Sequence, residues 1–401
     1  MTTNYLKDKH WMVKMKITND IKYIGVNDKK IDLFESQFIV PIGMAYNSYI
    51  ILDEKIAVMD SVDFDFNDEW LENLEKELNG REPDYLIIHH MEPDHSSCIF
   101  SFTEKYKNTK LVSSEKSFKI LKNFFKTDFS NREIIVNDGF KLSLGKHELT
   151  FFTAPMVHWP EVVVSYDDFD KVLFSADAFG KFGANDIKEE WLSEARRYYF
   201  GIIGKFGIQV QNLLKKLDGL NIKTICSLHG PVLNDNIKFY LEKYNLWSQY
   251  KPEEEGVFIA YTSVYGHTRK AVFELERQLK EKGVKTLVSD LARSDISKNI
   301  ENAFKFSKTV LATTTYNGEI FPFMREFIHE LTERNFSNRK VGFIENGSWM
   351  PMAEKRMSKM LENCKNIDFC ENSVMILSSI SNVDFVQINK LTEELLEDYI
   401  V

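Results

Sequence analysis

Tyr85-Leu-Ile-Ile-His-His-Met-Glu-Pro-Asp-His-Ser-Ser97 decides how the chain is read, because a short apolar run empties into four potential metal donors, His90, Glu92, Asp94 and His95. Pro83 and Asp84 break whatever precedes the run. Residues 85–88 are too few for a helix, so the spacing predicts a buried parallel strand. Donors then appear at the carboxyl end of a strand, where open α/β sheets keep their sites. Pro93 biases Glu92 towards an extended backbone. If the loop stays extended, positions 90, 92 and 94 share one side and His95 faces elsewhere. A loop whose neighbouring positions diverge suits two metal ions better than one. The plain alternative is a solvated turn with two histidines, but alternating imidazole and carboxylate donors match the preferences of first-row transition metals.

Three later segments repeat the pattern of a strand delivering one donor. His158 lies in Thr153-Ala-Pro-Met-Val-His-Trp-Pro160, where two prolines stiffen the backbone after a strand at 149–152; an aromatic-flanked histidine that is simply packed is the competing reading. Asp177 ends the apolar stretch Val172-Leu-Phe-Ser-Ala-Asp-Ala-Phe-Gly180, and a carboxylate delivered there must pair or coordinate. His229 follows Thr224-Ile-Cys-Ser-Leu and enters a Gly-Pro turn. The sum is four imidazoles and three carboxylates. Shared evenly, each of two cations receives two histidines and a terminal carboxylate, with Asp177 between them and open positions left for a small ligand. Asp60 and Asp63 read as turn and cap residues, His89 as a strand-end histidine, and His147, in Gly145-Lys-His-Glu-Leu-Thr150, as a surface histidine on an alternating strand.

The His-x-Glu-x-Asp-His spacing resembles the metal loop of the metallo-β-lactamase fold in the variant used by flavodiiron proteins. Ala-Pro-Met-Val-His158-Trp-Pro and Phe-Ser-Ala-Asp177-Ala-Phe-Gly are similar to that family's wording. Zinc hydrolases of the fold usually carry a histidine where this chain has Glu92, and a carboxylate there makes the site harder and favours iron. By the resemblance His90, Glu92 and His158 hold one iron, Asp94, His95 and His229 the other, and Asp177 both. Ser97, where Gly is common, and His89, where Asn is common, depart from the pattern.

A chain of 401 residues, 43% hydrophobic and 28% charged, is an ordinary globular protein with room for two domains. Residues 256–401 hold 19 Lys+Arg against 20 Asp+Glu, a net of −1, so of the total of −9 the first 255 residues carry −8. Neither half offers a basic surface for nucleic acid. No run of 18 apolar residues and no signal-peptide pattern occurs, which predicts a cytoplasmic enzyme without a membrane partner. Cys98, Cys226, Cys364 and Cys370 form no C-x-x-C pair, so any iron–sulfur electron carrier is a separate protein. Strands and helices alternate between mixed hairpins, among them a hairpin over 47–59 and helices at 66–78, 99–106 and 115–125. That arrangement suits an αββα sandwich. Lys251-Pro-Glu-Glu-Glu255 reads as the linker, giving domains at 1–252 and 253–401.

After the strand at 256–260 comes Tyr261-Thr262-Ser263-Val264-Tyr265-Gly266-His267-Thr268, then a helix. Hydroxyls between a first strand and a helix N-terminus make a cradle for one phosphate. Neither Gly-x-x-x-x-Gly-Lys nor Gly-x-Gly-x-x-Gly is present, which leaves a mononucleotide as the guest. Later strands open into Thr315-Tyr316-Asn317-Gly318 and Asn346-Gly347-Ser348-Trp349; Tyr265, Tyr316 and Trp349 can supply aromatic faces to an isoalloxazine ring. Loops at the carboxyl ends of parallel strands converge in the doubly wound order 2-1-3-4-5. This half resembles a flavodoxin domain with FMN, and the two halves together resemble the simplest, A-type flavodiiron proteins.

The resemblance implies a reductase with a di-iron centre and FMN. The flavin takes electrons singly from a small donor such as rubredoxin, and dioxygen is reduced to water; some relatives reduce nitric oxide to nitrous oxide. It also implies a head-to-tail homodimer or a dimer of dimers. A dinuclear zinc hydrolase and a non-enzymatic electron-transfer module are the rival readings, separable by metal analysis.

Overall fold

The computed structural model describes residues 17–397; the first sixteen residues, where a leader would begin, lie outside that range. Contacts gather the chain into two compact units, one ending at Glu194 and including Lys215–Ile237, the other made of Ala195–Leu214 and the chain from Lys238 onward.

The first unit holds two facing sheets. One runs in the order Ile21–Tyr23, Tyr49–Ile51, Ala57–Met59, Tyr85–Ile87, Lys110–Ser113, Glu133–Ile135. Its first three strands are antiparallel and the rest join in parallel, with Met59 opposite Ile87 and Ile87 opposite Val112. The other runs Lys141–Ser143, Glu148–Thr153, Val163–Asp167, Val172–Phe174, Thr224–Cys226. Alternation sends Leu149 and Phe151 inward, where they meet Val163, Phe174 and Cys226 from their own sheet and Ile51, Met59, Ile87 and Val112 from the other. The helix Asn67–Leu78 buries Trp70 and Leu74, anchors Trp70 Nε1 on Ser48 Oγ at 3.0 Å, and stops at Asn79 in the left-handed region. Three of the four strands that carry candidate donors are three residues long and the fourth, Glu148–Thr153, is six; beyond each the chain turns away from the core and leaves the donor at the rim of the sandwich.

His147 differs from the surface position expected for it. It is fully buried, with Nδ1 3.0 Å from Asp167 and Nε2 3.4 Å from Asp20. Burial opposes its charge, but the two carboxylates outweigh that and raise its pKa above the ordinary imidazole value. Asp170 completes a third convergent group there, which the ammonium of Lys146 shares through Asp20. The cluster is a salt-bridge network in which alternation placed the imidazole inward.

The second unit is a parallel sheet in the order Thr286–Asp290, Glu254–Tyr261, Phe306–Tyr316, Arg339–Gly347, the expected 2-1-3-4, with a fifth strand broken in two. Ile367–Phe369 pairs with the start of Arg339–Gly347 and Val374–Leu377 with its end. Between them the backbone N–H groups of Glu371 and Asn372 turn away to the Glu394 carboxylate. The segment expected as a linker is built into this unit. Its sheet already begins at Glu254, and Glu253 is buried among Arg196, Lys243 and Trp247, so the charges there are paired rather than solvated.

Candidate di-metal centre and flavin pocket

Pro93 does not prolong the extended loop expected after Glu92. Glu92 is extended (φ −61°, ψ 139°), as a residue before proline must be, but Pro93 then occupies the first position of a short helix, Pro93–Ser96. The turn separates Asp94 from His90 and Glu92 and groups it with His95. Ser61 donates its N–H and hydroxyl to His95 O, and the Ser96 hydroxyl donates to Met91 O, so the turn is tied to the sheet on both sides.

Two donor groups result. In the first, Glu92 Oε2 lies 3.1 Å from both His90 Nε2 and His158 Nε2. In the second, Asp94 Oδ2 lies 3.2 Å from His95 Nε2 and from His229 Nε2, and those two nitrogens are 3.0 Å apart. Asp177 serves both, with Oδ2 3.1 Å from His158 Nε2 and Oδ1 3.4 Å from His95 Nε2. All donor atoms within each group fall within 4.8 Å of one another. Close approach is needed to bring Asp177 and His229 together, and Gly180 permits it: a Cβ there would meet Asp177 O at 3.0 Å and His229 Cβ at 3.3 Å.

The donor set fits a pair of cations. Both Asp94 oxygens and Asp177 Oδ1 are buried without a hydrogen bond, although imidazole nitrogens stand within ion-pair distance of them. Atoms that converge without hydrogen-bond geometry are arranged for a centre between them. Protons supply the missing positive charge otherwise. Burial opposes ionisation of His158, yet Asp177 and Glu92 raise its pKa to about 9; His90 is likewise driven well above the ordinary range against its burial, chiefly by Asp177. Asp177 is held well below the carboxylate range despite its burial, by His90, His158 and His95. Where back nitrogens are engaged they fix which nitrogen faces the cage: His90 Nδ1 meets Glu161 Oε1 at 2.8 Å and His229 Nδ1 donates to Ala45 O at 2.8 Å. His158, Glu92 and Asp94 keep 9–16% of their side chains exposed, so the cage opens on their side.

In the second unit, the loops after three parallel strands enclose a cavity of about 590 Å³. Its walls come from Ser263, Val264, Tyr265, His267 and Thr268, from Thr314–Gly318, and from Asn346–Met350. Ser378 and Ser379, which the sequence did not single out, complete the lining together with Met352. Gly266 (φ +91°) opens the helix His267–Glu281; Ser263 Oγ accepts the N–H groups of Gly266 and Arg269, and the helix start at His267 and Thr268 lines the cavity, where its N-terminal end suits an anion. Among the described residues no carboxylate lines the cavity. Tyr265 and Trp349, 92% and 90% exposed, flank it as free aromatic faces. Thr262 is drawn into the sheet instead, its hydroxyl 2.6 Å from that of Thr313.

The family described as ODP family beta lactamase matches residues 44–230. Among curated relatives, an uncharacterised protein of Methanocaldococcus jannaschii is 29% identical over 88% of this chain and 90% of its own length. An anaerobic nitric oxide reductase flavorubredoxin of Aliivibrio salmonicida is 27% identical over 86% and 71%. Among solved structures, the rubredoxin oxygen:oxidoreductase of Desulfovibrio gigas superposes with a TM-score of 0.88 at 24% identity over 95% and 97% of the two chains. The flavodiiron protein of Giardia intestinalis does so with a TM-score of 0.88 at 23% identity over 98% of each. The family model, the curated relatives and the fold all align this chain with the flavodiiron proteins.

Flavodiiron proteins bind a di-iron centre and FMN, and this chain has a place that fits each. The seven donors expected from its sequence, His90, Glu92, Asp94, His95, His158, Asp177 and His229, meet in the two groups described. Of the residues expected around the flavin, all but Thr262 and Gly266 line the cavity. Sequence reasoning passed over two supports of the metal cage, Glu161 and Asn47, and set a third, His89, below a plainer reading although it weighed the residue as a donor behind the ligands. Glu161 and Asn47 carry no spacing signal. His89, read as a strand-end histidine, is locked between Asp60 at 2.6 Å and Ser165 at 2.8 Å beneath the donor loop. No helix among the described residues is long and apolar enough to cross a membrane.

Proposed function

We propose that this flavodiiron oxidoreductase reduces dioxygen to water, with electrons that enter through FMN from a small rubredoxin-like protein. The observation that carries the reading is Asp177, one oxygen turned to each donor group, in a cage of four imidazoles and three carboxylates. Two irons and a flavin, when bound, together store the four electrons that this reduction consumes. Glu92, Asp94 and Asp177 offset most of the charge of two divalent ions, and the exposed edges of His158, Glu92 and Asp94 leave the approach for a small gas. Trp159, its ring 5.3 Å from that of His90, packs on the cage and helps keep water from it. In the second unit Ser263, Gly266 and the start of the following helix would take the FMN phosphate, with Tyr265, Tyr316 and Trp349 around the ring.

Rubredoxin as donor is supported by the name of the D. gigas enzyme and by the absence of any C-x-x-C pair in this sequence. Nitric oxide is the second reading, supported by the flavorubredoxin relatives, which are named anaerobic nitric oxide reductases. Anaerobic stopped-flow of the fully reduced protein against each gas decides between them. Faster reoxidation by dioxygen, without peroxide release, supports the proposal; preferential reaction with nitric oxide, with nitrous oxide formed, replaces it. Zinc without iron in the purified protein, together with ester hydrolysis, would remove both.

A further inference from the structure

The two donor groups are matched in their inner donors. Each has two imidazoles, one terminal carboxylate and one oxygen of Asp177. Behind the imidazoles the match ends. His90 Nδ1 rests on the Glu161 carboxylate at 2.8 Å, with both side chains 0% exposed. His229 Nδ1 rests on a neutral main-chain carbonyl, Ala45 O, and His95 Nδ1 is buried without a hydrogen bond.

Glu161 is fixed for this contact. Its Oε1 also accepts the Met91 N–H at 3.0 Å, and its main-chain oxygen accepts the Ser114 hydroxyl at 2.8 Å. Its Oε2 is buried with no hydrogen bond, and its one ion-pair partner among the described residues is His90. A carboxylate in so dry a place needs a positive charge, which can reach it only through the imidazole. Linkage runs both ways: an anion that is stabilised by a cation on His90 Nε2 stabilises that cation, and more strongly as its charge rises.

We propose that Glu161 is a positioning residue that makes the two metal positions unequal, favouring the ferric state of the iron on the His90, Glu92 and His158 side. This rests on the reading that the cage holds two irons. With two ferric ions bound and an electron donor supplied, the ion held by Asp94, His95 and His229 would take the first electron and the ion held by His90, Glu92 and His158 the second.

The test is a reductive titration of the iron-loaded protein, followed by electron paramagnetic resonance, for wild type, Glu161→Gln and Glu161→Asp. Glutamine keeps an oxygen for the His90 N–H but removes the charge; aspartate keeps the charge. Wild type is expected to show two separated iron couples. E161Q should bring them together and release one iron to a chelator about 10- to 100-fold more readily, while E161D keeps most of the separation. Unchanged couples in E161Q with both irons bound, or wild-type couples no further apart than those of E161Q, would overturn the inference while leaving the di-iron reading intact. Should E161Q not fold, E161D and wild type still decide, since couples that coincide in wild type contradict it. Wild-type protein unable to hold two irons would remove the underlying reading as well.

Discussion

At the scale of the residue, charge and donor geometry decide what each side chain does. Asp177 is the one carboxylate with an oxygen in each donor group, so Asp177→Asn, which trades one oxygen for an N–H₂ donor, should lower bound iron from two to at most one per chain, read by metal analysis. His147 shows the same physics without a metal. Its pKa is raised in the fold, so its contribution is fully present below the unfolded imidazole pKa of about 6.5 and is lost as pH rises through the folded value. Denaturant titrations should find His147→Gln less stable than wild type by about 1–3 kcal/mol at pH 6, with the gap narrowing towards pH 9; an equal gap at both would contradict this. The seven donors were legible because each follows a short apolar run. His147 was misread because strand alternation gives the period and not the sign of the face. Glu161 was not legible at all, since its role exists only once residue 90 is beside it, seventy-one positions away in sequence.

At the scale of the element, the strands set the rim and the turns beyond them aim the donors. The turn Ser227–Gly230 that carries His229 is held by Asn47, whose amide donates to Ser227 O and Gly230 O at 2.8 Å each and whose N–H donates to Leu228 O. Asn47→Ala should cost about 2–4 kcal/mol and loosen iron on the Asp94, His95 and His229 side first, measurable as a fast-chelated fraction. In the flavin loop, Gly266 needs the left-handed region (φ +91°). Gly266→Val should add about 1–2 kcal/mol of backbone strain and lower FMN content at limiting flavin, while the iron content stays unchanged. The strand–loop–helix order of this unit could be read from sequence almost to the residue. The turn at Pro93 could not, because proline is compatible both with extended chain and with the first position of a helix, and only the ties from Ser61 and Ser96 settle it.

At the scale of the molecule, the composition, the order of the two halves and the fold class were all legible, since a sandwich and a doubly wound sheet have distinct rhythms of short strands. What sequence leaves open is how a flavin and a metal cage on one chain come to exchange electrons. The head-to-tail homodimer, or dimer of dimers, that the resemblance implies would answer it by supplying one copy's flavin to the other's metals. Variants that are monomeric by sedimentation should therefore retain both cofactors and lose turnover with the protein donor; a fully active monomer would contradict the arrangement. Beneath all of this stands the claim that Asp177 joins two iron sites. Anomalous diffraction at the iron edge tests it most directly: two peaks per chain on either side of Asp177, one beside His90, Glu92 and His158 and one beside Asp94, His95 and His229, are predicted, and a single peak or peaks away from Asp177 would contradict it.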